Sequence, residues 1–126
     1  MKWLVDKADT SNMTIRFKSR RKKTEGIAYT VILSKSLKEY IQEEKVTGIR
    51  FGYDTDKGQT KLVIGFNKEG QGASLLNNKK EIRSWFEVTE YIEQYMEEGI
   101  EVNLLVDYQI TLRKNGTLLL ELEKKE

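Results

Sequence analysis

Six cationic side chains lie close together near the start of the sequence: Arg16, Lys18, Arg20, Arg21, Lys22 and Lys23. Arg16 and Lys18 fall on one side of an extended strand, because alternate residues share a face. The four consecutive cations that follow lie in a polar stretch ending at Gly26, which is typical of a loop. Such cations can contact successive phosphates of a nucleic acid without reading its bases. The cluster predicts a nucleic-acid-binding surface, which Lys35, Lys38 and Arg50 could extend; the alternative is a solvated hairpin tip.

The residue types that are missing exclude most enzyme chemistry. The 126 residues contain no His, no Cys and no Pro. The usual general base, the commonest transition-metal ligand and the thiolate nucleophile are therefore absent, as are disulfides and zinc-finger ligands. Carboxylates are abundant, but no spacing singles out two of them for opposed acid and base roles. We expect a protein that is not an enzyme and that uses no cofactor and no metal.

Two acidic segments have ordinary structural interpretations. Asp54 and Asp56 with Gly58 resemble the opening of a calcium loop, but the following residues lack the later ligands, so a turn is expected. A run of glutamates follows helical spacing, as in a solvated helix face; it consists of Glu87, Glu90, Glu93, Glu97 and Glu98. The alternative is an acidic surface that mimics nucleic acid or docks on a basic partner protein.

The charge is distributed unevenly along the chain. The formal net charge is +2, but residues 1–26 carry +5, residues 27–80 carry +3 and residues 81–126 carry −6. Such a chain can present a basic face to a polyanion while its acidic end is repelled, or it can pair its two ends within the fold. No apolar run approaches the eighteen or so residues of a membrane span, and the first ten residues do not resemble a secretory signal or a transit peptide.

The elements that must position these residues follow from periodicity and from turn residues. In the first half we expect a strand at 13–18, a strand at 27–33, a helix that starts at the capping-box pair Ser36 and Glu39 and closes at Gly48, strands at 49–54 and 62–66, and a linker at 67–80. In the second half we expect a helix from the pair Ser84 and Glu87 to Gly99, an extended stretch at 100–113, a hairpin turn at Asn115-Gly116 and a returning strand at 118–122. The apolar stripe of the second helix would be Trp85, Val88, Ile92, Tyr95 and Met96.

The second half copies the first in plan and partly in residues. Glu39-Tyr40-Ile41 recurs as Glu90-Tyr91-Ile92, and Gly48-Ile49 recurs as Gly99-Ile100, all at an offset of 51 residues. These five identities compare with about one expected from average residue frequencies. The alternative is that helix–glycine–strand junctions resemble one another because a helix end favours glycine.

The stretch Thr30–Ile41, followed by Gly48–Asp54 and Lys61–Ile64, resembles the swapped-hairpin motif of the SpoVT-AbrB family. In that family a strand, a short leucine-bearing helix and a hairpin form a unit, and two units interlock into a small barrel. Leu37 stands at the helix leucine, and Ser34 stands where the family usually has proline. The resemblance covers about 35 residues, with a weaker second copy near 80–122. It implies a chain that supplies both halves of a DNA-binding barrel.

These observations predict an α+β fold made of two β-α-β-hairpin repeats, at 27–66 and 80–123, packed as a small mixed sheet or a swapped-hairpin barrel in one domain, 1–126. The predicted function is that of a small, cytoplasmic, non-enzymatic protein that binds duplex DNA, similar to a transcription regulator or to a phage or mobile-element protein. The alternative is a phage-type protein that binds and modulates a host protein complex. No membrane partner is expected, and homodimer formation is a further alternative.

Overall fold

The computed structural model describes residues 13–112 and 119–124. In these residues the chain forms an α+β fold with two helices and eight strands. The elements are β1 (Thr14–Arg21), β2 (Ile27–Leu33), α1 (Lys35–Glu44), β3 (Gly48–Asp56), β4 (Gln59–Asn67), β5 (Ala73–Ser74), β6 (Trp85–Glu87), α2 (Thr89–Glu97), β7 (Asp107–Leu112) and β8 (Leu119–Lys124). The predicted Asn115-Gly116 turn lies outside the described residues.

The strands form two antiparallel groups that the β7–β8 hairpin joins. The hydrogen-bonded order is β5-β3-β4-β8-β7-β1-β2-β6. Every strand pairing among the described residues is antiparallel, so the prediction of a mixed sheet is wrong. An isolated bridge joins Leu76 and Ile82 in the segment between the edge strands β5 and β6, and the described strands do not close into a barrel.

The strands form where the sequence alternates or is densely β-branched. In β1, Ile15 and Phe17 are buried while Arg16 and Lys18 are exposed, which confirms the predicted period of two. The apolar run of β2 has the predicted bounds. The turn between β3 and β4 places Lys57 and Gly58 at φ 53° and 78°, as a two-residue type I′ hairpin requires. The turn is therefore Lys57-Gly58 alone, and Asp54 to Asp56, predicted to lie in the turn, belong to β3.

Both helices begin at residues other than those predicted from capping-box spacing. The N-cap of α1 is Ser34, whose Oγ accepts hydrogen bonds from the backbone N–H of Leu37 and of Thr14, so Ser36 lies inside the helix. The second capping box is wrong as well, because Trp85–Glu87 is a strand that pairs with β2. In both places pairing with a neighbouring strand outweighs the local pattern. The closing residue of α1 is Lys45, and Gly48 is the first residue of β3.

One hydrophobic core contains residues from both halves of the chain. Phe17 of β1 contacts Phe51 of β3, with ring centroids 6.3 Å apart, and Phe51 in turn contacts Tyr91 of α2. The predicted linker at 67–80 is corrected in part, because it contains β5 and the fully buried Leu75. Gly72 in this segment has φ 81°, and a Cβ there would collide with the carbonyl oxygen of Ile49.

The order strand, helix, hairpin occurs twice along the chain. We call β2-α1-β3-β4 the first unit and β6-α2-β7-β8 the second unit. The repeat at an offset of 51 residues is not confirmed, since α1 starts at 35 and α2 at 89, whereas β3 starts at 48 and β7 at 107. The structural offset is 54 at the helices and larger at the hairpins, because residues 100–106 precede β7 without forming a strand.

Candidate nucleic-acid interface

Strand β1 presents a row of cations on its outer side. Arg16, Lys18 and Arg20 are exposed and alternate with the buried Ile15 and Phe17. Their spacing of two residues places neighbouring cations about 6.8 Å apart along the strand. Burial of Ile15 and Phe17 on the opposite face directs Arg16 and Lys18 away from the core, and Arg20 continues the same row by strand alternation.

The row of cations continues through Arg21, the last residue of β1, into the loop between β1 and β2. Arg20 and Arg21, which were predicted to lie in the loop, therefore belong to the strand. Arg21, Lys22 and Lys23 are exposed, and the Lys22 N–H donates to the Gly26 carbonyl over 3.2 Å. Gly26 has φ 113°, a conformation that side-chain-bearing residues rarely adopt. We call the six cations from Arg16 to Lys23 the basic ridge.

Acidic residues flank the basic ridge on both sides. Arg16 Nε lies 2.9 Å from Asp107 Oδ1 on β7, and Arg20 lies 3.7 Å from Glu87 on β6. All four side chains are at least 39% exposed, so these ion pairs are solvated and contribute little to stability. Neither of these two ion pairs involves Lys18, Arg21, Lys22 or Lys23.

The sequence analysis missed an exposed tryptophan beside the basic ridge. Trp85 was predicted to lie in a buried helical stripe, but it is on β6 and is 61% exposed. Arg16 pairs with Ile32, and Ile32 pairs with Trp85, so all three share the outer face of the sheet. Trp85 therefore lies two strands from Arg16, about 10 Å away. The sequence signal for this position was strand alternation: Phe86 is buried, so its neighbour Trp85 must lie on the solvent-facing side of β6.

The other three predicted site residues lie elsewhere. Lys35 and Lys38 are on α1, where the Lys38 Nζ donates to Ser84 Oγ over 2.8 Å. Arg50 is on β3, which is separated from β1 by three strands in the hydrogen-bonded order. The structure thus brings six of the nine predicted cations together and leaves Lys35, Lys38 and Arg50 outside the basic ridge.

The resolved pKa shifts concern tyrosines outside the basic ridge. Burial raises the pKa of Tyr95 well above its usual value, and the Tyr95 hydroxyl donates to the Gly52 carbonyl over 2.7 Å. Partial burial and the nearby Glu44 raise the pKa of Tyr40. A hydrogen bond to Glu98 raises the pKa of the exposed Tyr53.

Within the described part of the chain, no group of three or more Asp or Glu residues could hold a metal ion. Neither α1 nor α2 is long and apolar enough to cross a membrane.

Comparison with models of protein families, with curated proteins and with solved structures finds no match in any of the three. The resemblance to the SpoVT-AbrB family therefore stays a prediction.

Proposed function

We propose that this protein is a small, non-enzymatic DNA-binding protein, similar to a regulator or to a phage or mobile-element protein, that contacts duplex DNA through the basic ridge. The observation that carries the proposal is the position of six consecutive or alternate cations on one exposed strand and its loop. The core on the other side of β1 holds this strand in place, so binding does not require ordering the strand.

The spacing of the basic ridge suits a phosphate backbone. Arg16, Lys18 and Arg20 are about 6.8 Å apart, about twice the 3.4 Å axial rise per phosphate on one DNA strand. Asp107 and Glu87 on either side repel phosphates and so favour contact along the ridge. Arg16 and Arg20 must exchange these carboxylates for phosphates on binding, so the loop cations should contribute more of the affinity.

The test compares two triple variants that each remove three positive charges. The loop variant, Arg21→Gln with Lys22→Gln and Lys23→Gln, alters the end of β1 and the adjoining loop and leaves both ion pairs intact. The matched control replaces Lys57, Lys68 and Lys79, all exposed and outside the basic ridge, with Gln. Each lost phosphate contact should flatten the slope of log affinity against log salt by about 0.9, up to about 2.7 for the loop variant.

Titration with a labelled generic duplex at several salt concentrations measures these slopes. The control variant should keep the slope of the parent protein, and the loop variant should weaken binding to all duplexes alike, because phosphate contacts do not read sequence. Undetectable duplex binding at low salt, or equal slopes for the two variants, would contradict the proposal.

The finer architecture that we propose is a fused pair of swapped-hairpin units. Two kinds of observation support it. The helix ends correspond at an offset of 54 residues: Val46 N–H donates to Ile41 O over 3.1 Å, and Ile100 N–H donates to Tyr95 O over 2.8 Å. The two units also pair with each other twice, through β2–β6 and through β4–β8. Separately expressed halves should then fold only when they are mixed, which amide spectra would detect.

The second candidate function, binding of a host protein complex, is favoured by the exposed surface of α2. Glu90, Glu93 and Glu97 are exposed beside Met96, which is 57% exposed. An apolar side chain among carboxylates suits a basic protein surface with an apolar recess. Affinity purification with wild-type and Met96→Glu protein tests it, since a genuine partner should be lost in the variant.

A further inference from the structure

A groove of about 680 Å³ lies between α1 and the segment that joins β5 to β6. Its floor is apolar and is formed by Ile41, Val46, Leu76 and Ile82. Its volume falls in the range of protein binding sites. The floor joins the core, because Ile41 and Val46 are buried core residues.

Lysines form the rim of this groove. Lys35, Lys38, Lys45 and Lys80 line it, against the two carboxylates of Glu39 and Glu81. We call this site the lysine groove. Its net positive rim and apolar floor suit an occupant that has both carboxylates and an apolar side chain. The basic ridge shares no residue with it.

Two of the rim lysines adopt a backbone conformation that favours glycine. Lys45 has φ 56° and Lys80 has φ 61°. Glycine with positive φ stands 54 residues from each of them. Gly99, with φ 74°, follows Lys45 by 54 residues, and Gly26, with φ 113°, precedes Lys80 by 54 residues. A side chain in this region costs backbone energy that glycine avoids. Lysine at these two positions therefore puts charge at the rim at a cost in backbone energy.

The chain carries a surface complementary to the lysine groove on α2. Glu93, Met96 and Glu97 follow spacings of three and four residues, so they share one exposed helix face. No lining residue of the groove that the structure describes belongs to α2. Neither of the ion pairs described above, Arg16–Asp107 and Arg20–Glu87, involves a rim lysine or an α2 glutamate.

We propose that the lysine groove binds helix α2 of a second copy of this chain, with Met96 on the apolar floor and Glu93 and Glu97 between the rim lysines. The contact joins two different surfaces, so each copy offers one groove and one helix. It is small and charged, and it should therefore be weak and weakened further by salt.

Sedimentation of the full chain at about 0.05 M and about 0.5 M salt tests this contact. We expect self-association at low salt that decreases at high salt. The groove variant Lys45→Glu with Lys80→Glu and the helix variant Glu93→Lys with Glu97→Lys should each weaken it at least about tenfold. A mixture of the two variants should regain association in two ways. The intact groove of the helix variant can bind the intact helix of the groove variant, and the two altered surfaces again carry opposite charges.

Matched controls separate this contact from a general effect of charge. Lys57→Glu with Lys68→Glu is the control for the groove variant, because it reverses two positive charges away from the lysine groove. Glu43→Lys with Glu44→Lys is the control for the helix variant, because it reverses two negative charges on a part of α1 that does not line the groove. Both should self-associate as the parent protein does. If the groove variant does not fold, Lys45→Gly with Lys80→Gly replaces it. This variant removes the same two positive charges, and glycine adopts the positive φ of both positions without strain.

Three results would overturn the proposal. The first is a parent protein that stays monomeric at low salt up to about 1 mM, where even a weak contact becomes populated. The second is association that neither the groove variant nor the helix variant weakens. The third is equal weakening by the control variants. The loop variant of the basic ridge should self-associate as the parent protein does, even if it no longer binds duplex DNA, because the two sites share no residue.

Discussion

The first and second units follow the same order of elements, but their helices differ at both ends and in surface charge. Helix α1 has a serine N-cap, ends at a lysine with positive φ and borders a lysine-lined groove. Helix α2 has no side-chain N-cap, is followed by Gly99 and exposes glutamates. The buried side of each helix is apolar in both units. Packing against the shared core thus requires an apolar face on both helices, whereas their capping residues and exposed side chains can differ.

Truncation of the buried helix residues should have the largest effect and should be similar in the two units. Leu37 in α1 and Ile92 in α2 are both buried. Leu37→Ala and Ile92→Ala should each lower the free energy of unfolding by about 2 to 5 kcal/mol in urea denaturation. Trp85→Ala and Met96→Ala should each change it by only about 0.5 kcal/mol, because both side chains are exposed. An equal loss in Trp85→Ala and Ile92→Ala would restore the buried-stripe interpretation.

Removal of the N-cap should distinguish the two helices. Ser34→Ala leaves two backbone N–H groups without their side-chain acceptor and should cost about 1 to 2 kcal/mol in the same measurement. Ser36→Ala is the control and should stay within about 0.5 kcal/mol. At α2 no equivalent loss is available, because Val88 provides no side-chain cap. A larger effect at Ser36 than at Ser34 would favour the capping box predicted from the sequence.

High pH should act on the second unit through Tyr95. The corresponding residue of α1, 54 positions earlier, is Ile41, which does not titrate. Because the folded-state pKa of Tyr95 is raised, its contribution to stability is present below about pH 10 and is lost as pH rises above that value, by up to about 1.4 kcal/mol per pH unit.

Tyr95→Phe provides the control for this pH dependence. It should lower stability at neutral pH by about 1 kcal/mol, through loss of the hydrogen bond to Gly52 O, and should make the decline above pH 10 shallower. Tyr40 retains its own raised pKa in both proteins, so the difference between the two curves isolates Tyr95. Parallel curves would show that Tyr95 titrates normally.

The closing residues of the two helices should respond in opposite directions. Lys45→Gly should stabilise the protein by up to about 1 kcal/mol, because glycine adopts φ 56° without a steric penalty. Gly99→Ala should destabilise it by about 1 kcal/mol, since Gly99 has φ 74°. Thermal melts of the two single variants measure both. If the variants shift the melting temperature in the same direction, the correspondence between Lys45 and Gly99 fails.

Much of the candidate site followed from the sequence because it is local. The alternation around Phe17 placed Arg16 and Lys18 outside, and the polar run ending at Gly26 gave an exposed loop. Lys35, Lys38 and Arg50 were joined to the same surface in the prediction, but their positions depend on where α1 and β3 pack. Sequence neighbours could be grouped, whereas residues on different elements could not.

The sequence by itself determined the strands β1 to β4, the two helices in outline and the basic ridge, since each depends on side-chain periodicity or on neighbouring residues. Tertiary structure alone decided that Trp85 belongs to a strand, that Ser34 caps α1 and that residues 76–82 border the lysine groove. In each of these cases a distant strand supplies the hydrogen bonds or the packing. Those long-range contacts outweigh local capping and helical patterns, whose contributions are each only about 1 kcal/mol.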